Sequence, residues 1–274
     1  MPQEISSYER LAPYYEAARQ EAEIRQQTMP IGRLETIGDA LDDGRPSFVE
    51  AIENAPDVAV IAEYKRRSPS KNDAWRDSTV AWTVEQYRRG GATALSILTQ
   101  NQHFGGDVSD ISKAFETCQL PILRKDFVST EYQLHEARAR GAAAVLLIVA
   151  GLEDEQLRKL YYEAGTLGLE CLVEVHNEDE LERAWKLEPE IIGVNNRNLS
   201  NPKDVDTRIA EELIPMVPDY VATVAESGYE VSDLDHIRQL RELGADAVLM
   251  GTALMREFDP AEALASWLAT DQPQ

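Results

Sequence analysis

Eight short apolar segments rich in β-branched residues recur along this chain, separated by stretches of helical character. They are Val58–Ala62, Ala94–Leu98, Pro121–Leu123, Ala144–Val149, Glu170–Val175, Ile191–Val194, Tyr220–Ala225 and Ala247–Met250. Their starts lie roughly 20 to 35 residues apart, room for one strand, one helix and two turns, and strands alternating with helices pair in parallel. Eight such units close a sheet on itself. The expected fold is therefore α/β, a single (β/α)8 barrel of the TIM type with an N-terminal helical extension. The chain's 274 residues suit this, since such a barrel takes about 250 residues as one domain.

Three junctions look alike: Arg89-Gly90-Gly91-Ala92, Arg140-Gly141-Ala142-Ala143 and Leu243-Gly244-Ala245-Asp246. In each, glycine follows a helical stretch where a left-handed cap is wanted, and a strand begins soon after. They read as helix-to-strand turns at the bottom of the barrel. Residues 1–55 stand outside the repeat, because Tyr8–Gln27 and Leu34–Asp42 read as helices with no strand between them. The expected division is thus an extension over 1–55 and a catalytic barrel over 56–274. Spacing alone leaves the extension as either a lid over the mouth or a plug beneath it.

The formal net charge is −22, from 49 acidic and 27 basic residues, and only seven of the basic residues are lysine. That excess of negative charge excludes nucleic acid as an expected partner. Self-repulsion at this charge is screened at molar salt, where the Debye length falls to about 3 Å, so a halophilic source is expected. The longest apolar run, Ala142–Ala150, is far below the roughly 20 residues of a membrane span, and no basic-then-apolar leader opens the chain. A cytoplasmic protein, monomeric or weakly self-associating, is expected. The two cysteines, Cys118 and Cys171, fall in or beside apolar runs and read as buried thiols.

The carboxyl ends of parallel barrel strands and the loops beyond them form the reactive face, and here several apolar segments end in polar groups. The sequence runs Glu63-Tyr64-Lys65-Arg66-Arg67-Ser68 after the first, Arg124-Lys125-Asp126-Phe127 after the third and Glu174-Val175-His176 in the fifth. Asn195-Asn196-Arg197-Asn198 follows the sixth, and Glu226-Ser227-Gly228 the seventh. Strand alternation sends Glu63 and Lys65 to one side, and Asn195 and Arg197 likewise. Ser227-Gly228 and Gly251-Thr252 end adjacent strands with small residues that let backbone N–H groups approach a phosphate. A lysine among carboxylates at such a place serves as a general acid, and Schiff-base chemistry stays open as well. The four histidines show no metal-binding spacing, and there is no phosphate-binding glycine loop after the first segment, so neither metal nor nucleotide cofactor is expected.

These strand ends resemble those of the indole-3-glycerol-phosphate synthase family. The resemblance runs from about Val60 to Arg256 and rests on Ile61-Ala62-Glu63-Tyr64-Lys65-Arg66 with Ser68-Pro69-Ser70, on Pro121 to Phe127, on Ile192 to Leu199, on Ala225 to Gly228 and on Gly251 to Arg256. It implies a cofactor-free lyase of tryptophan biosynthesis that converts 1-(2-carboxyphenylamino)-1-deoxyribulose 5-phosphate to indole-3-glycerol phosphate, CO2 and water. By the same resemblance Lys125 is the general acid, Glu174 the base for the final proton loss, Lys65 a second cation and proton donor, and Glu63 the residue that tunes both lysines. Asn195, Arg197 and Ser68 orient the substrate, Ser227, Gly228, Gly251 and Thr252 cradle its phosphate, and Phe104, Phe127 and Leu199 flank its aromatic ring. Such a substrate carries a carboxylate and a phosphate, so an acidic chain is expected to gather a local cationic pocket from Lys65, Lys125 and Arg197, with neighbouring Glu63 and Glu174 keeping the lysines paired and charged. The family's N-terminal helices imply a lid for residues 1–55. The chain departs from the family pattern at Asn72, usually glycine, and at Thr99-Gln100, where an acidic residue is common. A Schiff-base aldolase working through Lys125, or the isomerase neighbouring this enzyme in the pathway, remains the alternative barrel chemistry. A catalytically silent barrel serving as a binding subunit is the alternative outside enzymes.

Overall fold

The structure is a computed structural model and describes residues 7–41, 44–67, 78–198 and 204–270. Three helices, α1 (Ser7–Thr28), α2 (Ile31–Ala40) and α3 (Phe48–Glu53), precede the first strand. The chain then alternates: β1 (Ala59–Tyr64), α4 (Val80–Gly90), β2 (Ala94–Leu98), α5 (Asn101–Phe104), α6 (Ser109–Thr117), β3 (Ile122–Lys125), α7 (Glu131–Ala139) and β4 (Ala144–Ile148). The second half continues with α8 (Asp154–Thr166), β5 (Glu170–Val175), α9 (Glu178–Trp185), β6 (Ile191–Asn195), α10 (Arg208–Leu213), β7 (Ala222–Glu226), α11 (Leu234–Glu242), β8 (Ala247–Met250), α12 (Thr252–Arg256) and α13 (Pro260–Thr270). All neighbouring strands pair in parallel, and β8 returns to β1, closing the barrel.

Each of the eight apolar segments becomes a strand. β1, β3, β6 and β7 run one or two residues past the apolar stretch, because the ladder continues beneath polar side chains that point into the mouth. The helices start where the sequence offers caps: the Thr79 side chain accepts from Trp82 N–H, Asn177 accepts from Glu180 N–H, and Thr130 with Gln133 forms a reciprocal capping box before α7. Gly91, Gly141 and Gly244 have φ of +93°, +92° and +105°, the left-handed turn that drops the chain from helix to strand. Both cysteines are buried and free. No described helix is long and apolar enough to cross a membrane.

The extension takes both of the positions open to it. α1 lies across the carboxyl-end mouth, where the Glu21 carboxylate accepts from Gln100 Nε2 and from the backbone N–H groups of Asn101 and Gln102 at 2.9–3.2 Å, seating α5 against it. α3 sits at the opposite end. There Glu170, the first residue of β5, accepts from Ser47 Oγ and Phe48 N–H, both at 2.5 Å, so the helix start docks on a strand start. The helical segment expected to reach Asp42 ends at Ala40, and Asp42 lies outside the described residues.

Candidate active site

Side chains alternate along a strand, so a barrel's interior receives one parity from each strand. The cavity at the carboxyl end shows that parity: Glu63 and Lys65 enter from β1 and its end, Leu98 from β2, Lys125 from β3, Leu146 and Ile148 from β4, and Glu174 from β5. Asn195 and Arg197 follow from β6, Glu226 from β7, and Leu249 and Gly251 from β8. The opposite parity faces the helices; Arg124, fully buried, turns outward to Asp126 at 3.0 Å and Glu136 at 3.1 Å. The cavity has a volume of about 380 Å³, within the range of small-molecule sites.

Charge inside it is ordered around two lysines. Lys125 Nζ stands between Glu226 Oε2 at 2.7 Å and Glu174 Oε2 at 3.0 Å, while Lys65 Nζ is 2.6 Å from Glu63 Oε1. Burial alone would discharge Lys125, but Glu174, Glu226 and Glu63 more than compensate and hold its pKa above the ordinary lysine value. Burial would likewise raise Glu174, and Lys125 with His176 overrides it, holding that carboxyl below the usual range. Glu63 is lowered by Lys65 and Lys125 against the same burial penalty. Glu226 behaves in the opposite sense: burial and the neighbouring negative charge of Glu174 outweigh Lys125 and push it up to about 7. Two carboxylates on one ammonium cannot both be equally well satisfied, so the pair splits into a firmly ionised member and one that titrates near neutrality.

The geometry shows the expected pairing of Lys65 with Glu63 and of Lys125 with Glu174, and adds further carboxylates. Lys65, Lys125 and Arg197 are matched by Glu63, Asp126, Glu174, Glu226 and Glu230 among the described lining residues. Buried cations need partners, and in this fold the strand ends supply them.

One side of the cavity is apolar. Tyr14 of α1 stacks on Phe127 with ring centroids 5.1 Å apart and planes 16° apart, and Phe104 lies 6.1 Å from both rings. Leu98, Leu146, Ile148 and Leu11 complete a slot that a flat ring would fill. On the opposite side, Ser227 and Gly228 take successive positive φ values of +67° and +96°, a tight left-handed backbone bend at the end of β7. Asn196 braces it by donating from Nδ2 to the Ser227 carbonyl at 3.0 Å. Gly251 precedes α12 where no side chain fits: a Cβ there would overlap the Glu63 carboxylate and lie 2.8 Å from Lys65 Nζ.

A sequence profile described as indole-3-glycerol phosphate synthase matches residues 11–266. The chain belongs to that family. It is 40% identical over 257 residues to the indole-3-glycerol phosphate synthase of Micrococcus luteus, covering 93% of this chain and 95% of that one. It is 49% identical over 206 residues to the Nocardioides synthase, covering 75% and 78%, and 46% identical over 212 residues to the Kineococcus radiotolerans synthase, covering 77% and 76%. Among solved structures, the thiamine phosphate pyrophosphorylase of Pyrococcus furiosus superposes with a TM-score of 0.57 at 15% identity, over 77% of this chain and 94% of that one. A structure described as native KDPGal gives a TM-score of 0.53 at 16% identity, over 79% and 92%. These two likenesses concern the fold alone.

Of the residues singled out from sequence, Lys125, Glu174, Lys65, Glu63, Asn195, Ser227, Arg197, Phe104, Phe127, Gly228, Gly251 and Thr252 all line the one cavity. Ser68 and Leu199, and with them Asn72, lie outside the described residues of this synthase-family chain. At Thr99 and Gln100, where the family commonly has an acidic residue, Thr99 Oγ donates to Asp126 at 2.6 Å and the Gln100 side chain caps α5 by accepting from His103 N–H. Sequence reasoning gives Glu226 no role of its own, although the residue opens the Ser227-Gly228 motif. The signal that finds it is register, since Glu226 is the β7 partner of inward-facing Asn195. Tyr14 and Leu11 are missed as well, because a helix's apolar face does not say which end of a barrel it covers.

Proposed function

We propose that the protein closes the indole ring of 1-(2-carboxyphenylamino)-1-deoxyribulose 5-phosphate, releasing CO2 and water, with the cavity described above as its active site. The observation that carries this reading is Lys125 Nζ, half-buried at the head of the cavity between Glu174 and Glu226, with an aromatic slot on one side and the Ser227-Gly228 bend on the other. A substrate with an aryl carboxylate at one end and a phosphate at the other fits across that axis. Its ring occupies the space beside Phe104, Phe127 and Tyr14. Its phosphate meets the N–H groups around Ser227, Gly228, Gly251 and Thr252, with Lys65 close enough to Gly251 to share the charge.

The order of steps follows from the electrostatics. As the aryl carbon bearing the carboxylate attacks the ketone carbon, negative charge grows on the ketone oxygen, and Lys125 delivers its proton there. An ammonium held above the ordinary lysine value starts the cycle fully protonated, and the developing alkoxide is a far stronger base than either flanking carboxylate. Loss of CO2 leaves its bonding electrons in the ring system. The hydroxyl formed from the ketone then departs as water with a proton from Lys65, whose charge is held by Glu63. Glu174 takes the last proton and completes the indole. Once Lys125 has become neutral, Glu174 loses its nearest cation and becomes a better base, so the acid step prepares the base step. Asn195 and Arg197 fix the substrate between these groups.

The decisive experiment adds 1-(2-carboxyphenylamino)-1-deoxyribulose 5-phosphate to the purified chain and follows the fluorescence of the indole product. Turnover without added metal or cofactor is the expected result, and borohydride should trap no covalent adduct. A chain that is folded and binds the compound yet releases neither indole product nor CO2 would overturn the reading.

A further inference from the structure

Glu174 is held from two sides. Oε2 faces Lys125, and Oε1 lies 3.3 Å from Nε2 of His176, which follows β5 with the same parity as Glu174 and whose side chain is only 7% exposed. The far side of that imidazole is fixed as well: Nδ1 is 2.9 Å from Glu180 Oε2, and the same oxygen accepts the His176 backbone N–H at 2.9 Å. Glu180 is buried in the first turn of α9 and cannot swing, because Asn177 Nδ2 donates to its Oε1 and its backbone N–H donates to Asn177 Oδ1, each at 2.9 Å. The loop after β5 thus locks a carboxylate, the carboxylate locks an imidazole, and the imidazole meets Glu174.

Lys125 cannot be the lasting counter-charge of Glu174, because donating its proton is its part in ring closure. From that moment a buried Glu174 would face Glu226 and Glu63 with its nearest cation gone, and burial would drive it to pick up a proton before the final step needs it there. A second cation that takes no part in the chemistry removes the difficulty. We propose that His176, anchored by Glu180, is a positioning residue that aims the Glu174 carboxylate into the cavity and keeps it ionised after Lys125 has discharged. The charged groups acting on the imidazole are Glu174 from β5 and Glu180 from α9. Burial pushes its pKa down, and these two carboxylates more than reverse the effect, raising it to about 9. The imidazole therefore stays cationic through the neutral range, with Nδ1–H donating to Glu180 and the ring charge paired with Glu174 at 3.3 Å.

This rests on Glu174 being the base, and the test separates the two claims. The dependence of kcat and KM on pH is measured for the full chain and for the variants His176→Gln, Glu180→Gln and Glu174→Gln. With His176→Gln, kcat falls at least about 10-fold with KM within about threefold, and the acid limb of kcat moves up by about one pH unit as Glu174 becomes easier to protonate. Glu180→Gln keeps the imidazole but removes its anchor, so the alkaline limb moves to lower pH. That variant also serves if His176→Gln does not fold. Limbs that superimpose on those of the unaltered chain in both variants, with Glu174→Gln inactive, overturn the positioning role alone. Near-normal turnover of Glu174→Gln overturns the base assignment and the positioning role with it.

Discussion

Arg25 forks onto Glu136, Nε to Oε1 at 2.7 Å and Nη2 to Oε2 at 3.0 Å, across 111 residues of sequence. Glu136 is almost fully buried and also receives Arg124 Nη1 at 3.1 Å, while Arg124 Nη2 reaches Asp126 at 3.0 Å. The chain of charge runs from the roof helix α1 through α7 to the two residues that flank Lys125. A helix attached in this way brings Leu11 and Tyr14 into the lining of the cavity.

Arg25→Ala should therefore loosen the roof more than it damages the barrel. Glu136 keeps Arg124 as a partner, so the cost is that of one lost charged hydrogen-bond pair, about 1–3 kcal/mol, and not that of an orphaned buried charge. KM should rise more than kcat falls, and α1 should become easier to cleave by protease. Unchanged KM and unchanged protease resistance would show that the roof is held elsewhere.

Lys125→Ala should lower turnover at least about 100-fold while leaving substrate binding measurable. The variant leaves Glu174 and Glu226 without the ammonium that stands between them and leaves the ketone oxygen without its proton donor. A variant that turns over at near the unaltered rate would remove Lys125 from the role of acid.

Gly193→Ala tests the packing behind the acid. Gly193 is the β6 partner of Glu174, and a Cβ on it would overlap Glu226 Oε1, an atom that is buried with no hydrogen-bond partner among the described residues. The carboxylate must move away from Lys125 to make room. Overpacking of this kind costs about 1–3 kcal/mol, and kcat should fall because Lys125 loses a partner at 2.7 Å. Unaltered kcat, read together with the melting temperature, would mean that Glu226 can shift freely without consequence.

Much of this site is legible in the amino-acid sequence alone. The eight apolar segments fall on the eight strands, and strand parity by itself brings Glu63 beside Lys65 and Asn195 beside Arg197. Glu226 escapes because Ser227-Gly228 reads as a turn, and a residue next to a turn carries no parity until the strand's end is known. The Arg25–Glu136 fork is not legible at all, since local pattern tells which face of α1 is apolar but not which helix it will meet. The same limit hides the second half of the extension: α3 docks on Glu170 through contacts more than 120 residues apart in sequence. The pairing of the lysines with Glu63 and Glu174 is legible from the strand ends, whereas the second carboxylate on Lys125, Glu226, appears only once the strands are in register.

Stability should fall as pH rises through the upper neutral range. His176 has a folded-state pKa raised to about 9 against an ordinary 6.5, so the fold binds its proton more tightly than the unfolded chain does. That contribution is fully present below about pH 6.5 and is lost as pH rises through 9; it is on the order of 3 kcal/mol at most. Melting temperatures at pH 6.5 and pH 9 should differ less for His176→Gln than for the unaltered chain. An equal difference in both proteins would locate the pH dependence elsewhere.

The last expectation concerns the whole surface. With a formal charge of −22, like charges repel across the folded chain, and expansion relieves that repulsion, so low salt favours unfolding. The Debye length shortens from about 10 Å at 0.1 M to about 3 Å at 1 M, which removes most of the repulsion between exposed carboxylates but screens the partly buried Lys125, Glu174 and Glu226 contacts much less. Added KCl should then raise the melting temperature steeply at first and more gently toward molar salt, without abolishing turnover. The steep initial part distinguishes screening from the general strengthening of apolar burial, which grows steadily with salt concentration. A melting temperature that stays flat from dilute buffer to molar KCl would show that the excess negative charge is not what limits the stability of this barrel.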